Sequence, residues 1–340
     1  MNKLRLGILF GGKSEEHEVS LMSARSVYNF ADKSKYKIYP IAVDKKGNWL
    51  SKEKSSNILK DNEIKEVPAV KNPDKKGLNN FLKDDFDVIF PLIHGPYGED
   101  GKIQGLFELL DLPYVGANVL GSAVGMDKGI MKKLFDYNNL KQTEFLTLKK
   151  HDKSKFTIIE KFIEDKGMPI FIKPANLGSS IGISKVSHRD ELKTAVKAAF
   201  KYDNKIVVEK SIKAREIECS VLGKKEFKAS LPGEIIPSHD FYDYQSKYED
   251  EKTKLIIPAD LDENIIKDIQ KTAIKAFEII EGEGLARVDF FLKEDEVYIN
   301  EINTIPGFTK YSMYPKLWEA SGLSYPELID KLVEIALDNS

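Results

Sequence analysis

The chain has 340 residues, of which 41% are hydrophobic and 31% are charged, and its formal net charge is −2. This length favours two or three domains with a cleft between them. The near-neutral charge excludes a global basic field for nucleic acid, and no apolar run reaches the roughly 18 residues expected of a membrane-spanning helix.

The first part of the chain alternates apolar runs with amphipathic stretches. This alternation predicts a parallel sheet with helices on its faces over about residues 1–117. Residues 44–84 are polar and are predicted to be irregular. The predicted strands are Leu4–Phe10, Lys37–Val43 and Phe86–Leu92, and the predicted helices are Leu21–Phe30 and Lys102–Leu110.

Polar side chains follow two of these strands. Glu16 lies in the loop after the first strand, and His94 closes the strand that precedes the loop HGPYGEDG. Ligands bind at the carboxyl ends of strands in open α/β sheets, so this position favours ligand binding. A structural histidine is the alternative for His94.

The middle of the chain is predicted to be a small α/β unit. Its predicted helices are Asp127–Tyr137, residues 153–165 and Arg189–Tyr202, and its strands are Pro169–Lys173, Ile183–Val186 and Lys205–Glu209. A glycine-serine loop, residues 175–182, follows the strand that carries Lys173. Small residues let backbone N–H groups approach phosphate oxygens, but a plain turn fits this loop equally well by itself. Lys128 offers a second cation, although a lone helix lysine is usually a surface residue.

The segment 206–212 resembles a strand that leads into an extended linker between domains. Such a linker presents backbone N–H and C=O groups to the edge of an adenine, and an ordinary buried strand is the alternative. Beyond it, extended chain reaches Pro237. A long polar loop with several tyrosines follows, which favours an active-site lid over residues 238–256. A helix is predicted over Leu261–Glu281.

A hairpin near the end of the chain concentrates charged residues in apolar strands, Leu285–Leu292 and Val297–Asn303. A period of two places Arg287 with Asp289 on one face and Glu301 with Asn303 on one face. Two carboxylates and an amide oxygen form the hard oxygen site that Mg²⁺ prefers. A solvated sheet face with an Arg–Asp pair is the alternative.

The single cysteine, Cys219, excludes an intrachain disulfide framework and indicates a reducing cytoplasm. Its apolar neighbours favour a buried thiol over a nucleophile. The amino terminus runs into Gly11 and Gly12 without a small-residue cleavage site, which favours a first strand over a signal peptide.

Read together, seven motifs closely resemble the D-alanine–D-alanine ligases of the ATP-grasp superfamily. They occur in family order: LFGGKSEEHEVSL, HGPYGEDG, MDK, FIKPANLGSSIGISKV, YDYQSKY, ARVDFF and NEINTIPGFTKYS. The resemblance implies an α/β, three-domain ATP-grasp fold. The implied domains are an amino-terminal parallel-sheet substrate domain over residues 1–117, a central subdomain over 118–209, and a carboxyl-terminal subdomain over 210–340 that carries the lid.

The resemblance also implies roles for individual residues. The implied nucleotide contacts are Lys128, Lys173, Ser179, Ser180, Glu209, Lys210, Ile212, Glu216, Lys247 and Asn300. The implied ligands of two Mg²⁺ ions, for which Mn²⁺ can substitute, are Asp289, Glu301 and Asn303. The implied substrate contacts are Glu16 and His94 for a first D-alanine, Lys247, Ser312 and Met313 for a second, and Arg287 with the Gly307 N–H for the oxyanion. Glu16, Ser179 and Tyr248 resemble the family's hydrogen-bonded triad.

The implied reaction joins two D-alanines through an acyl phosphate, for peptidoglycan precursor synthesis in a bacterial cytoplasm, by an enzyme that is commonly a homodimer. Tyr248 and Met313 favour D-alanine at the second subsite over D-lactate or D-serine. A nucleotide-binding ATP-grasp module without catalysis is the alternative from another class. The presence of Arg287 argues against it, because a module that only binds has no need of an oxyanion donor.

Overall fold

The structure is a computed structural model, and it describes residues 2–69, 78, 81–82, 85–237 and 253–338. Within this part of the chain the strands form three sheets, which follow one another along the sequence. Of the predicted lid, residues 238–256, the part 238–252 with Lys247 and Tyr248 lies outside the described residues, and Lys254–Ile256 form a strand. No helix in the described part is both long and apolar enough to cross a bilayer.

The first sheet is parallel, as the sequence predicts. Its strands are β1 (Leu4–Gly11), β2 (Tyr36–Val43) and β3 (Val88–Pro91), and the order is β2-β1-β3. The helices around it are α1 (His17–Phe30), α2 (Lys52–Lys60) and α3 (Lys102–Leu109). Gly11 has φ of 91°, and a Cβ there would lie 2.1 Å from the Val43 carbonyl oxygen. Only glycine therefore fits the turn that leads from β1 towards Glu16.

Two predictions for this part were wrong in detail. Residues 44–84 contain α2, whose amino terminus is capped by the Ser51 side chain and whose Ile58 and Leu59 are buried. Helix α1 starts at His17 instead of Leu21. His17 is buried there, with Nδ1 donating to the Gly12 carbonyl at 2.8 Å and Nε2 accepting from the Val67 N–H at 3.0 Å. His17 is buried because it hydrogen-bonds to the backbone of two loops. A pattern of apolar residues in the sequence does not reveal such a position.

The second sheet is antiparallel. Its strands are β4 (Phe145–Lys149), β5 (Ile170–Pro174), β6 (Ser184–Val186) and β7 (Lys205–Lys210), in the order β4-β7-β5-β6. The helices of this part are α4 (Val119–Met126), α5 (Lys128–Tyr137), α6 (Lys155–Lys166) and α7 (Leu192–Ala199). Asp127 is the N-cap of α5, because its side chain accepts from the N–H groups of Gly129 and Ile130. The predicted helix Arg189–Tyr202 is shorter, since Arg189–Glu191 form a 3₁₀ turn.

The third sheet is also antiparallel and contains the predicted hairpin. Its strands are β8 (Arg215–Gly223), β9 (Phe227–Ala229), β10 (Gly233–Ile236), β11 (Lys254–Ile256), β12 (Gly284–Lys293) and β13 (Glu296–Asn303), with β11-β10-β8-β12-β13 as the main order and β9 beside β8. Helix α8 (Glu263–Ile279) packs on this sheet. The chain ends with α9 (Met313–Ala320) and α10 (Tyr325–Leu337). Cys219 is fully buried in this core, as predicted.

The last two helices pack against the first sheet. Leu328 of α10 belongs to the same buried cluster as Leu6 of β1, and the Phe308 and Phe90 rings lie 5.2 Å apart. Tyr36 of β2 donates to Asp330 at 2.7 Å. The loop between β13 and α9 is therefore held against the carboxyl end of the first sheet.

Candidate active site

The glycine-serine loop after β5 meets the loop after β1. Ser179 and Ser180 both have positive φ, 51° and 58°, which is strained for residues with a Cβ. The Ser179 hydroxyl donates to the Glu16 carboxylate, and a Cβ on Gly178 would lie 3.3 Å from that carboxylate. Two loops from different parts of the chain thus form one wall, and consecutive left-handed residues turn backbone N–H groups towards a concave surface.

A cavity of about 780 Å³ lies on one side of this wall, between the second and third sheets. It brings together every implied nucleotide contact among the described residues. Its walls include Lys128, Lys173, Ser179, Ser180, Glu209, Lys210, Ile212, Glu216 and Asn300, together with Asp289 and Glu301. The cavity has the size of a small-molecule site.

Three buried charged residues, Lys173, Glu209 and Lys132, lie at the back of this cavity. Lys173 Nζ lies 2.6 Å from one oxygen of Glu209, and Lys132 Nζ lies 3.1 Å from the other. Burial alone would raise the pKa of Glu209, but the two ammonium groups outweigh it and lower the pKa to about 2. Burial also acts against the charged form of Lys173, yet the carboxylates of Glu209 and Glu301 raise its pKa. The pair therefore stays ionised at neutral pH.

The implied metal ligands lie on neighbouring strands in register. Asp289 of β12 is opposite Glu301 of β13, and Arg287 is opposite Asn303. Asn303 donates to Asp289 at 2.9 Å, and Lys128 Nζ lies 3.1 Å from Glu301. Among the described residues, no group of three or more His, Cys, Asp or Glu side chains is placed to hold a metal ion. Two carboxylates and an amide oxygen, each carboxylate facing a cation, nevertheless fit the donor chemistry of Mg²⁺.

Arg287 lies between two carboxylates, Asp289 and Glu218, that line this cavity. It makes a bidentate pair with Asp289 at 2.7 and 2.8 Å, and its Nε lies 3.0 Å from Glu218. Its side chain is only 16% exposed. A guanidinium held from two sides keeps one orientation, which an oxyanion donor requires.

A second cavity of about 630 Å³ lies on the other side of the wall. The two cavities share Gly178, Ser179, Glu218 and Ile235. The second cavity collects Ser179 of the implied triad and the described residues implied for substrate and oxyanion binding, which are Glu16, His94, Arg287, Gly307, Ser312 and Met313. A phosphoryl group bound in the first cavity would therefore lie near a carboxylate bound in the second.

His94 is buried and both of its ring nitrogens are engaged. Nδ1 lies 2.8 Å from the Ile305 carbonyl oxygen, and Nε2 lies 3.1 Å from the Ser23 hydroxyl. Burial lowers its pKa, against the opposing effect of Glu16. The ring is therefore neutral at pH 7, with Nδ1 as donor. This arrangement fits the structural alternative for His94 as well as a place in the substrate wall.

Glu99 lies beside His94 and links the same two segments. Its carboxylate accepts from the Gly95 N–H and from the Ile305 N–H, both at 3.0 Å. Burial and then the charge of Glu16 raise its pKa to about 8, although the two N–H groups act the other way. Sequence reasoning gave Glu99 no role, since it is one of two acids in a polar loop.

Helix α9 begins at the second cavity. Ser312 is its N-cap residue, and the Ser312 hydroxyl accepts from the Thr309 N–H at 3.1 Å. Met313 is buried against Gly233 and narrows the cavity. A helix amino terminus carries partial positive charge, so this end suits a carboxylate.

Sequence reasoning missed two further charged residues, and each had a signal. Lys132 follows Lys128 by four residues, which places both on one helix face. Glu218 follows Glu216 by two residues in a strand, which places both on one sheet face. Each spacing places a second charged side chain on the same face of its helix or strand as the predicted site residue.

Two family models match the chain. The model described as the D-ala D-ala ligase N-terminus covers residues 5–117, and the one described as the C-terminus covers residues 134–334. A D-alanine–D-alanine ligase from Halothermothrix orenii is 55% identical over the full length of both chains.

Solved structures agree with this match. The D-alanine–D-alanine ligase from Coxiella burnetii is 38% identical with a TM-score of 0.84, over 99% of this chain and 95% of that one. The D-alanine–D-alanine ligase from Bacillus anthracis complexed with ATP is 28% identical with a TM-score of 0.77, over 98% of this chain and 97% of that one.

Proposed function

Because the chain belongs to the D-alanine–D-alanine ligase family, with its ATP-grasp fold, we propose that it joins two D-alanines with ATP, giving D-alanyl-D-alanine, ADP and phosphate. The observation that carries this function is the meeting of two cavities at Ser179 and Glu218, with Arg287 at the junction. A site for a nucleotide and a site for small amino acids then share one wall. This arrangement places a phosphoryl group beside a carboxylate.

The nucleotide occupies the first cavity. Lys128 and Lys173 neutralise its phosphates, while the backbone of residues 209–212 faces the base and Glu216 faces the ribose. Asp289, Glu301 and Asn303 hold Mg²⁺, which offsets the charge repulsion between the γ-phosphoryl group and the attacking carboxylate. Glu301 pairs with Lys128 and Asp289 pairs with Arg287, and these contacts hold the carboxylate oxygens in the corner where a divalent ion would bind.

The first D-alanine binds in the second cavity with its ammonium group at Glu16. One of its carboxylate oxygens attacks the γ-phosphorus, the bond to the ADP oxygen breaks, and D-alanyl phosphate forms. Glu16 binds the ammonium group of the first D-alanine. The contact between Ser179 and Glu16 holds Glu16 against the loop that faces the phosphates. Both reactants are thereby oriented by one wall.

The second D-alanine binds with its carboxylate at the amino terminus of α9, near Ser312. Its neutral amine attacks the acyl carbon, a proton leaves the nitrogen, and the carbon–oxygen bond to phosphate breaks. Arg287 and the Gly307 N–H stabilise the oxyanion of the tetrahedral intermediate. Met313 offers an apolar wall where a D-serine ligase would need a polar contact, which favours D-alanine as acceptor.

The remaining features of the enzyme are proposals from the family. Lys247 and Tyr248 close the lid over both cavities and exclude water from the acyl phosphate. Mn²⁺ substitutes for Mg²⁺, and the enzyme acts as a homodimer in the cytoplasm for peptidoglycan precursor synthesis and cell shape.

The test is ATP-dependent phosphate release with Mg²⁺, with D-alanine alone, with L-alanine, and with D-alanine plus D-lactate or D-serine. We expect release with D-alanine alone and D-alanyl-D-alanine as the product. Release only with a mixed pair would mean that D-lactate or D-serine, instead of D-alanine, is the second substrate. ATP binding without release for every pair would reject the ligase function in favour of a binding module.

A further inference from the structure

Lys132 lies behind the nucleotide cavity instead of in it. Its side chain is 1% exposed, and it does not line the cavity that Lys173 and Glu209 line. It projects from α5 one turn after Lys128, and its ammonium group lies 3.1 Å from the Glu209 oxygen that Lys173 does not contact. Glu209 is therefore held from both sides.

Burying Lys132 with Glu209 and Lys173 costs desolvation free energy, which stability alone does not explain. Burial opposes the charged form of Lys132, and this effect lowers the pKa of its ammonium group despite the nearby Glu209. Buried ion pairs are often no more stabilising than apolar side chains of similar volume. The angles of the contact also lie outside hydrogen-bond geometry, so Lys132 acts mainly through its charge. Apolar side chains in place of the whole cluster would serve a purely structural role as well.

We propose that Lys132 is a positioning residue for base selection: it keeps Glu209 ionised beside the base-binding linker, so that the cavity accepts the amino group of adenine and rejects the carbonyl oxygen of guanine. This inference rests on the proposed ATP-dependent function. It assigns Lys132 no contact with the nucleotide.

The chemistry of Glu209 supports this role. An ionised carboxylate only accepts hydrogen bonds, whereas a protonated one also donates. Adenine presents a donor at the position where guanine presents an acceptor. Glu209 begins the segment 209–212 whose residues line the cavity. An acceptor that cannot become a donor discriminates between the two bases at this point.

Among the residues that the structure describes, loss of Lys132 leaves Lys173 as the single close cation of Glu209. Burial then favours the protonated carboxyl group, or the side chain turns away from the cavity to reach water. Both changes weaken the acceptor that this proposal assigns to the amino group of adenine. Affinity for ATP falls and the penalty on GTP shrinks, while the D-alanine subsites, which lie beyond Ser179, are unaffected.

The experiment compares Lys132→Met with Lys133→Met, which removes the exposed lysine next along the same helix. The kinetic constants for ATP and GTP are measured at saturating D-alanine, and the dissociation constants of both nucleotides are measured by calorimetry. For Lys132→Met we expect the KM for ATP to rise about tenfold or more, and the ATP-over-GTP ratio of kcat/KM to fall by a similar factor. The KM for D-alanine and all constants of Lys133→Met stay at wild-type values.

A variant that only destabilises the fold is recognised by a second substitution. Lys132→Met combined with Glu209→Gln removes both charges of their contact and leaves Lys173 an amide oxygen as acceptor, so this variant should fold while still discriminating poorly. Either variant, folded by circular dichroism and with the wild-type preference for ATP, would overturn the role of Lys132. If wild-type protein makes no dipeptide, the ligase function fails, and the calorimetric ATP-over-GTP ratio still decides the role of Lys132.

Discussion

The two cavities hold their charged groups in different ways. In the nucleotide cavity Lys173 and Glu209 lie on adjacent strands of one sheet, and both are almost fully buried. In the substrate cavity Glu16, Ser179 and Ser312 come from loops in three parts of the chain. The first arrangement is fixed by strand register. The second exists only when the three parts are packed together.

The difference has a functional consequence. A ligand that brings several negative charges meets Lys173, which a sheet fixes, whereas the amino acids meet groups supplied by loops. Loops that meet through a few contacts open and close more readily than strands within a sheet. We therefore expect substitutions in the two cavities to separate nucleotide binding from amino-acid binding.

The largest effect is expected where the cavities meet. Arg287→Met removes the oxyanion donor, and kcat for dipeptide formation should fall by roughly 10²- to 10³-fold, because that interaction strengthens in the transition state. ATP binding, measured by calorimetry, should change far less. Arg189→Met is the control, since Arg189 is an exposed arginine paired with Glu160. A fall in kcat below about tenfold would remove Arg287 from the catalytic step.

The next effect tests the contact between loops. Ser179→Ala leaves Glu16 without the hydroxyl that donates to it. A hydrogen bond to a charged group contributes about 1.5–3 kcal/mol, so the KM for the first D-alanine should rise by roughly tenfold or more. Ser187→Ala, at an exposed serine of the same domain, should leave this KM unchanged. If Ser179→Ala raised only the KM for ATP, the contact would belong to the nucleotide cavity.

A third prediction concerns pH and the substrate cavity. The pKa of Glu99 is raised to about 8 in the folded protein, above the ordinary 4.5, so the folded state binds this proton more tightly than the unfolded state. Stability from this group is full below the ordinary pKa and is lost as the pH rises towards 8, by at most about 1.4 kcal/mol per pH unit.

The check is thermal unfolding of wild type and Glu99→Gln between pH 5 and pH 9. Glutamine replaces one of the two accepting oxygens, so the variant should be less stable than wild type at pH 5. The gap should narrow as the pH rises, because only wild type loses the proton. A gap that is constant with pH would show that Glu99 does not titrate in this range.

The smallest effect lies outside both cavities. Ser324 caps α10, the helix that joins the last part of the chain to the first core, and it forms a capping box with Glu327. Ser324→Ala should lower the free energy of unfolding by about 1 kcal/mol and leave both KM values unchanged. Denaturant unfolding and steady-state kinetics measure the two quantities. A changed KM for D-alanine would mean that the docking of α10 controls the substrate loops.

Much of the site is readable from local sequence. The period of two in the hairpin correctly placed Arg287 and Asp289 on one face of β12, since strand geometry alone sets that face. The strand ends predicted that Glu16 and His94 lie at one edge of the first sheet, and both line one cavity. The order of the seven motifs predicted the family. These inferences need only neighbours along the chain or a resemblance.

Other features depend on residues far apart in the sequence. Nothing near Lys132 reveals that its partner is Glu209, and nothing in the loop around Glu99 reveals the Ile305 N–H. Helix α2 was missed because its polar surface hides the short buried face of Ile58 and Leu59. The sequence by itself determined most of the elements, the motif residues and the chemistry they bring. Only the tertiary structure decided which charges are buried together, because burial and pairing arise when distant segments pack and exclude water.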